Sequence, residues 1–312
     1  MSWIVVALSA YLILAVANLL DKFLINSVLS SSKAYVFAAS MMSLLVFIVA
    51  PWFLQWPGVW PFLFNILAGI IFAVALWFLY EALKRGETSR ILVIIGGTTP
   101  IFSLILSLVF FKEHFSNNQW LGMLTLLVGV FIIAFLPQSR SYLSRVIKKI
   151  GFKQDEARNG AIVFAVLSAL AYASYFICSK YAYSSQPFMS SFIWTRLGSA
   201  LFVSMFLLSR KYRAEIFNAL SRKNPNKNKF LVVVNQCLGS TGFLLQNYAV
   251  FLGSVALVNA LQGFQYAFLL IIGTILALLK PKLLKENFSW RIVFQKSVAI
   301  LVIGIGIYFL TV

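Results

Sequence analysis

The chain has 312 residues, of which 61% are hydrophobic and 11% charged, and its mean hydropathy is +0.90. Soluble domains are typically about 45–50% apolar and about 25% charged, so this composition excludes a water-soluble globular protein and predicts a multi-span membrane protein. The formal net charge of +18 does not indicate a nucleic-acid partner, because the Lys and Arg residues lie in short gaps between apolar runs rather than in a patterned patch.

Ten apolar runs have the length of about 20 residues that a helix needs to cross a bilayer. Because the bilayer core offers no water to backbone groups, each span is predicted to be a helix. The predicted fold is therefore an all-α polytopic membrane protein with ten transmembrane helices. The predicted spans are roughly residues 3–25, 34–54, 61–83, 89–111, 117–136, 160–180, 188–209, 229–251, 254–279 and 290–310.

The basic residues between the spans fall almost entirely on one side of the predicted bundle. The other side holds Lys112 and Lys180, and Arg196 lies within a span. By the positive-inside rule the basic side is cytoplasmic, so both termini are predicted to lie outside. An even number of spans is consistent with termini on one side.

The longest gap between spans, 137–159, is a basic cytoplasmic linker between two predicted halves, 1–136 and 160–312. Within it, the string SYLSRVIKKIGF places apolar residues at helical spacing with basic residues between them. Two interpretations stay open: a short helix on the anionic lipids of the inner leaflet, or a solvated basic linker.

Two nearly identical strings mark an internal repeat. KEHFS at 112–116 and KENFS at 285–289 each come just before the last predicted span of a half, and residues 17–28 align with 175–186. Since each half contains an odd number of spans, the second half is inverted relative to the first. Inverted five-helix repeats of this kind are typical of transporters, whose substrate site lies near the midplane between the halves.

The first half also carries the residues of a known family pattern: a Pro early in the fourth helix, a Glu in the next turn, then a Gln and two spaced Gly. They are Pro100, Glu113, Gln119, Gly122 and Gly129. With the string KEHFSNNQWLGMLTLLVGV, they resemble the EamA-like branch of the drug/metabolite transporter superfamily. The resemblance implies a metabolite transporter in the cytoplasmic (inner) membrane of a prokaryote.

The second half matches the same pattern less closely. Arg196 corresponds to an Arg that the family tends to carry in the second helix of a half, but Ala267 and Gln295 stand where the pattern has Pro and Gly. Members of this branch are more often drawn with cytoplasmic termini, whereas the charge distribution places both termini outside. The sequence leaves the orientation open between these two.

Arg196 is the principal candidate for substrate binding. It lies about 12 Å into its helix at 1.5 Å per residue, where a charge costs several kcal/mol unless it meets a partner or water. We therefore expect its guanidinium to face a cavity and bind a carboxylate or phosphate. The competing interpretation is a structural Arg that snorkels or pairs with Glu113 or a helix-end carbonyl.

Polar residues on four other helices predict a wet, aromatic-lined cavity at the centre of the bundle, although hydrogen bonds between helices would explain any one of them equally well. The candidate substrate-binding residues, besides Arg196, are Thr99, Ser103, Tyr172, Tyr175, Ser240, Asn247, Asn259, Gln262 and Tyr266.

The segment that contains Gly96, Gly97 and Pro100 predicts a break in the fourth helix, because proline frees a backbone carbonyl and glycine permits opening. A packed kink is the alternative. Glu81 and Asp21 are the candidate coupling acids, but Lys84 and Arg85 follow Glu81 closely and favour an ion pair there.

The sequence offers no enzyme motif, metal-ligand cluster or cofactor-binding string, so neither catalysis, a metal nor a cofactor is predicted. The predicted function is movement of a small metabolite, either amino-acid-like or another small organic compound that can be anionic, by alternating access. The alternatives are a flippase for a lipid-linked substrate and a non-transporting membrane scaffold. The expected partners are the substrate and the bilayer, and the sequence does not predict an oligomeric state.

Overall fold

The computed structural model describes residues 2–28, 31–85, 88–134, 154–221, 229–279 and 290–311, and every regular element in these ranges is helical. The helices are α1 (Trp3–Val28), α2 (Ser32–Ser43), α3 (Ala50–Phe53), α4 (Val59–Arg85), α5 (Thr88–Phe110), α6 (Asn117–Ala134), α7 (Gln154–Tyr183), α8 (Phe188–Ser204), α9 (Arg210–Ser221), α10 (Lys229–Leu252), α11 (Val255–Ala260), α12 (Gln262–Leu279) and α13 (Trp290–Thr311). The 3₁₀ segments Leu44–Val49 and Met205–Leu208 continue α2 and α8.

Five helical stretches in these ranges are long and apolar enough to cross a membrane. They are Trp3–Leu20, Ser32–Phe53, Val59–Arg85, Gly160–Tyr183 and Phe188–Leu208. Shorter apolar helices correspond to four of the other five predicted spans, 89–111, 117–136, 254–279 and 290–310. The eighth predicted span, 229–251, coincides with helix α10. The sequence therefore predicted the all-helical, membrane-spanning character of the chain correctly.

Some helices extend beyond their apolar runs. The third predicted span, 61–83, is part of α4, which runs from Val59 to Arg85. The sixth predicted span, 160–180, is part of α7, which begins at Gln154, inside the predicted linker. Hydropathy marks only the portion that suits lipid, whereas helical hydrogen bonding continues into the polar residues on either side. Residues 137–153 of the linker and the KENFS segment lie outside the described residues.

Each long helix packs along one or two main partners. Helix α4 lies along α7 and α8, and α5 lies along α7. Helix α1 lies along α10 and α12, and α6 lies along α13. The main hydrophobic core lies where these helices meet, and its buried residues come from both the first and second halves of the chain.

A glycine pair sets the closest crossing, between α4 and α8. A Cβ atom on Gly69 would lie 2.8 Å from the Cα atom of Gly198, and a Cβ atom on Gly198 would lie 2.8 Å from the Cα atom of Ile66. Neither site has room for a side chain, so the two backbones are in direct contact. Small residues at such crossings are typical of helix packing in membranes.

Polar side chains reinforce the same interface. Asn65 on α4 is fully buried, and its Nδ2 donates a hydrogen bond of 2.9 Å to Gln186 Oε1. The hydroxyl of Ser191 on α8 donates to Asn65 Oδ1 at 2.7 Å. These bonds give the amide partners within the protein, as a polar group buried in a membrane requires.

A second glycine contact joins α6 and α13. A Cβ atom on Gly122 would lie 3.0 Å from the carbonyl oxygen of Gly306, and a Cβ atom on Gly306 would lie 3.0 Å from the amide nitrogen of Leu126. Gly122 belongs to the family pattern found in the sequence. A side chain at this position would collide with α13, which explains why a Gly is needed there.

The break predicted in the fourth helix is absent from this conformation. Helix α5 runs without interruption through Gly96, Gly97 and Pro100, all of which are buried. Pro100 removes one helical hydrogen bond, to the carbonyl of Gly96, but packing against α7 and α11 keeps the helix continuous.

A helix later in the chain is interrupted instead. Helix α11 ends at Ala260 and α12 begins at Gln262, with Leu261 between them at ψ −6°. The amide of Leu261 is shared between the carbonyls of Leu257 and Val258, at 3.3 and 3.1 Å. The interruption is thus a local tightening of the helix rather than an unwound segment.

The glycine crossing leads to a direct test of packing. Gly198→Ala should lower the thermal unfolding midpoint of the purified protein, because overpacking costs about 1–3 kcal/mol. Gly239→Ala on α10 is the matched control, since a Cβ atom there has no neighbour within 4 Å. The control should unfold at the same temperature or at a higher one, because Ala in place of Gly stabilises a helix by up to about 1 kcal/mol. Equal midpoints for the two variants would contradict the close crossing.

Candidate functional site

Arg196 lies deep inside the bundle. It is the ninth residue of α8, about 12 Å from the start of the helix at 1.5 Å per residue, and only 3% of its surface is exposed. The position agrees with the depth expected from the sequence. In this conformation the side chain is enclosed by protein rather than open to an aqueous cavity.

Aromatic rings surround the guanidinium of Arg196. Its central carbon lies 4.4 Å from the ring centre of Phe72, 4.5 Å from that of Phe192, 5.0 Å from that of Phe243 and 5.8 Å from that of Tyr175. These four rings, which come from α4, α7, α8 and α10, form an aromatic cage. A cation over an aromatic face gains about 2 kcal/mol or more when both are desolvated, so the cage partly offsets the cost of burial.

The hydrogen bonding of Arg196 is incomplete. Its Nη2 donates to the Tyr175 hydroxyl at 2.7 Å, whereas its buried Nε has no hydrogen-bond partner among the described residues. No carboxylate in the described part of the chain forms an ion pair with it. Pairing with Glu113, one of the structural alternatives, is not observed. The positive charge is therefore buried without an anionic partner among the described residues.

The bond to Tyr175 begins the first of two polar networks. The Tyr175 hydroxyl donates to Asn247 Oδ1 at 2.7 Å, and the Tyr183 hydroxyl donates to the same atom at 3.0 Å. Asn247 Nδ2 donates to the backbone carbonyl of Phe243 at 2.9 Å. This network holds the Tyr175 hydroxyl with its oxygen toward Arg196.

The second network joins the two halves of the chain. Gln246 Nε2 donates to the Tyr11 hydroxyl at 3.2 Å and approaches Asn259 Oδ1 at 3.5 Å. Asn259 Nδ2 donates to the Ser103 hydroxyl at 2.8 Å, and the Tyr11 hydroxyl donates to the carbonyl of Val258 at 2.9 Å. All five residues are buried. Helices α1, α5, α10 and α11 are thereby connected beside the interruption at Leu261.

Two adjacent residues of α10 link the networks. Gln246 belongs to the second network and Asn247 to the first. Because neighbouring residues on a helix point about 100° apart, α10 can present one amide to α1 and α11 and the other to α7.

Some buried polar atoms beside these networks have no partner among the described residues. They are the hydroxyls of Thr99 and Ser107, one turn before and after Ser103, and Oε1 of Gln262. Unpaired buried polar groups are costly. A polar ligand or water molecules would supply hydrogen-bond partners for these two hydroxyls and for Gln262 Oε1.

The structure does not bring every predicted residue into this region. The Tyr172 ring lies 6.2 Å from the Phe72 ring, at the edge of the aromatic cage. Ser240 is exposed on α10, about two helical turns before the buried Asn247. The side chains of Tyr266 and Asp21 lie outside the described residues.

Glu81 is engaged at the basic end of the bundle. Its carboxylate pairs with Arg85 at 2.9 Å and accepts a hydrogen bond of 2.5 Å from the Ser32 hydroxyl. The predicted ion pair is thus confirmed. A carboxylate fixed by these partners joins α4 to the start of α2.

Lys180 closes the opposite end of the bundle. Its Nζ donates to the carbonyls of Val250, Phe251 and Gly253, at 3.0, 3.0 and 2.8 Å. These carbonyls end α10, where helical partners run out and the helix dipole favours a cation. Next to them, the hydroxyl of Ser254, which caps α11, donates to Glu113 at 2.5 Å.

Sequence reasoning missed part of this arrangement. Tyr11 and Tyr183 are not distinguishable from lipid-facing tyrosines by hydropathy, and the cage residues Phe72, Phe192 and Phe243 look like ordinary apolar positions. A useful signal would have been the need of a buried Arg for aromatic or hydroxyl neighbours.

Comparison with known proteins agrees with these features. Residues 1–135 match the EamA-like transporter family. Over 100 residues, the chain is 34% identical to the uncharacterized transporter YdfC of Bacillus subtilis (strain 168), a match that covers 31% of this chain and 28% of that relative. A solved crystal structure aligns over 98% of both chains with a TM-score of 0.63 and 13% identity, which shows a shared fold.

The apolar helices define a membrane protein that crosses the bilayer more than once, and its N-terminal part is similar to transporters. The matched residues include the KEHFS region and the helix after it, so the resemblance to the EamA-like family noted there is confirmed. The residues matched in YdfC span about a quarter of that relative's length.

The Lys180 contacts generate a prediction. Lys180→Met keeps the length of the side chain but leaves three carbonyls without their donor, which should destabilise the protein by about 1–3 kcal/mol. The thermal unfolding midpoint in detergent measures this loss. Lys112→Met, at an exposed position in the turn after α5, is the matched control and should leave the midpoint unchanged. If both variants unfold like the wild type, Lys180 does not hold the end of α10.

Proposed function

We propose that the protein moves a small organic metabolite with an anionic group across the membrane by alternating access. One observation carries the proposal: the Arg196 guanidinium is buried among aromatic rings, with one N–H unpartnered and no paired carboxylate among the described residues. A substrate carboxylate or phosphate would supply the missing anion. The guanidinium fork suits both groups.

The aromatic cage also fits a substrate with an apolar part. Phe72 and Phe243 lie 4.9 Å apart and come from α4 and α10, which belong to different halves of the chain. Their contact closes the centre of the bundle beside Arg196. Separating the two rings would open the guanidinium to one side of the membrane, and a substrate could then replace the ring contact with its own apolar surface.

The packing of the helices supports two inverted five-helix halves. In that scheme the first helices are α1 and α7, the third are α4 and α10, and the fifth are α6 and α13. Each first helix packs on the third and fourth helices of the other half, and the fifth helices pack on each other. A two-fold relation between the halves requires this reciprocity.

The second helix of each half adds a local correspondence. Ser43 in α2 and Ser204 in α8 both precede a 3₁₀ segment, and their hydroxyls donate to the carbonyls of Ser40 and Ala200. A hydrogen bond from a Ser hydroxyl to a backbone carbonyl one turn earlier often bends a helix. Two halves that alternate as related units around a fixed site are the usual basis of alternating access.

The proposed orientation in the membrane rests on the distribution of the basic residues. Ten spans with both termini outside would place the basic ends of α4 and α9 in the cytoplasm, in accordance with the positive-inside rule. We place the protein in the cytoplasmic (inner) membrane of a prokaryote, as the family resemblance implies. The proposal assigns no catalytic role. It favours facilitated diffusion or exchange, because Glu81 is already paired near the end of its helix.

A ligand screen tests the proposal. Purified wild type and Arg196→Gln are heated with amino acids, organic acids, sugar phosphates, nucleosides and cationic compounds. A ligand at a hundred times its Kd adds about 2.7 kcal/mol of stability, so we expect anionic compounds to raise the midpoint of the wild type and not that of Arg196→Gln. Uptake or efflux of each stabilising compound is then measured in proteoliposomes.

Two further variants make the result specific to the site. Arg196→Lys keeps the charge but loses the forked geometry, and should bind the same anions more weakly. Arg85→Gln removes an Arg outside the cage and should bind them like the wild type. Stabilisation by neutral or cationic compounds in all variants would refute the role of Arg196. No stabilisation by any compound would favour a lipid-linked substrate or a scaffold.

A further inference from the structure

Helix α9 lies at the boundary of the membrane. The apolar stretch Phe188–Leu208 has 21 residues, or about 31 Å at 1.5 Å per residue, which is about the thickness of the hydrocarbon core. Ser209 then turns the chain with extended backbone angles, φ −84° and ψ 121°. Helix α9 starts at the next residue, so a bilayer that fits this apolar stretch would place the first turn of α9 at the level of the lipid headgroups.

One face of α9 is fixed to the bundle. Ile216 is fully buried in a hydrophobic cluster with Val36 and Phe206. Tyr212 lies under the Lys33 ammonium, whose nitrogen is 3.7 Å from the ring centre. These contacts hold α9 against α2 and α8 and determine which residues point away.

The opposite face combines positive charge with apolar surface. Arg210, Lys211 and Arg213 are exposed, and Phe217 is 51% exposed. Arg213 and Phe217 are four residues apart and therefore neighbours on the helix surface. Just before the helix, Leu208 is 83% exposed. Basic and aromatic residues on one surface are the composition of helices that lie in the membrane interface.

The acid of α9 does not neutralise this face. Glu215 accepts a hydrogen bond of 2.7 Å from the Ser31 hydroxyl and pairs with Lys33 at 3.7 Å. The Ser31 hydrogen bond, followed by the charges of Lys33 and Lys84, holds the pKa of the Glu215 carboxyl below its ordinary value. Glu215 thus stays ionised and engaged with α2 at neutral pH, and the exposed cations remain available.

We propose that the outward face of α9 binds the headgroup of an anionic phospholipid, with Arg210 and Arg213 on the phosphate and Phe217 among the upper acyl carbons. The site is distinct from the basic linker considered in the sequence, and it does not depend on the transported substrate. Because each basic residue near an anionic surface contributes about 1 kcal/mol, the loss of one Arg should weaken binding about fivefold.

Native mass spectrometry of the full-length protein tests the site. Protein in detergent is titrated with phosphatidylglycerol or phosphatidylcholine, and the bound lipid is counted. We expect preferential binding of phosphatidylglycerol, about fivefold weaker binding by Arg213→Gln, and unchanged binding by Arg213→Lys. The matched control is Lys112→Gln, which removes an exposed cation at the other end of the bundle and should bind like the wild type.

Further measurements distinguish binding of an intact lipid from binding of phosphate alone. Inorganic phosphate at millimolar concentration should not displace the lipid, because the acyl contacts with Phe217 are missing, and Phe217→Ser should weaken binding. Equal binding of both lipids, equal loss in Lys112→Gln and Arg213→Gln, or displacement by phosphate would each overturn the proposal. The unfolding midpoint of Arg213→Gln, an exposed substitution, establishes that the variant is folded.

Discussion

The buried charge of Arg196 is the constraint around which the centre of the molecule is arranged. A guanidinium in a membrane needs water, an anion or polarisable neighbours, and here rings from four helices and the Tyr175 hydroxyl meet part of that need. Tyr175 can accept this bond with its oxygen because its hydroxyl hydrogen is donated to Asn247 Oδ1. The positions of α4, α7, α8 and α10 relative to one another are therefore tied to one side chain.

The lipid environment also constrains the helix ends and the helix crossings. Lys180 satisfies carbonyls that α10 cannot satisfy itself, and Ser254 begins α11 with its own cap. At the crossings, Gly69 and Gly198 permit direct backbone contact. Lipid offers no hydrophobic driving force between helices, so close van der Waals contact and internal hydrogen bonds must supply the association.

The sequence was sufficient for properties that depend on local composition. It placed α4 and α8 nearly residue by residue, and it placed Arg196 at the depth observed, because hydropathy and helical rise determine both. It failed where distant residues decide the outcome. The hydroxyl of Tyr11 meets a carbonyl 247 positions away, and Pro100 stays inside a continuous helix because neighbouring helices support it. Leu261, where a helix is interrupted, carries no local signal at all.

The adjacent amides of α10 have a mechanical consequence. Gln246 and Asn247 project in different directions from the same short length of backbone and contact different helices of the bundle. A rotation of α10 about its axis would move both amides through the same angle. A rotation that breaks the hydrogen bonds to α1 and α11 would therefore also strain the hydrogen bonds to α7.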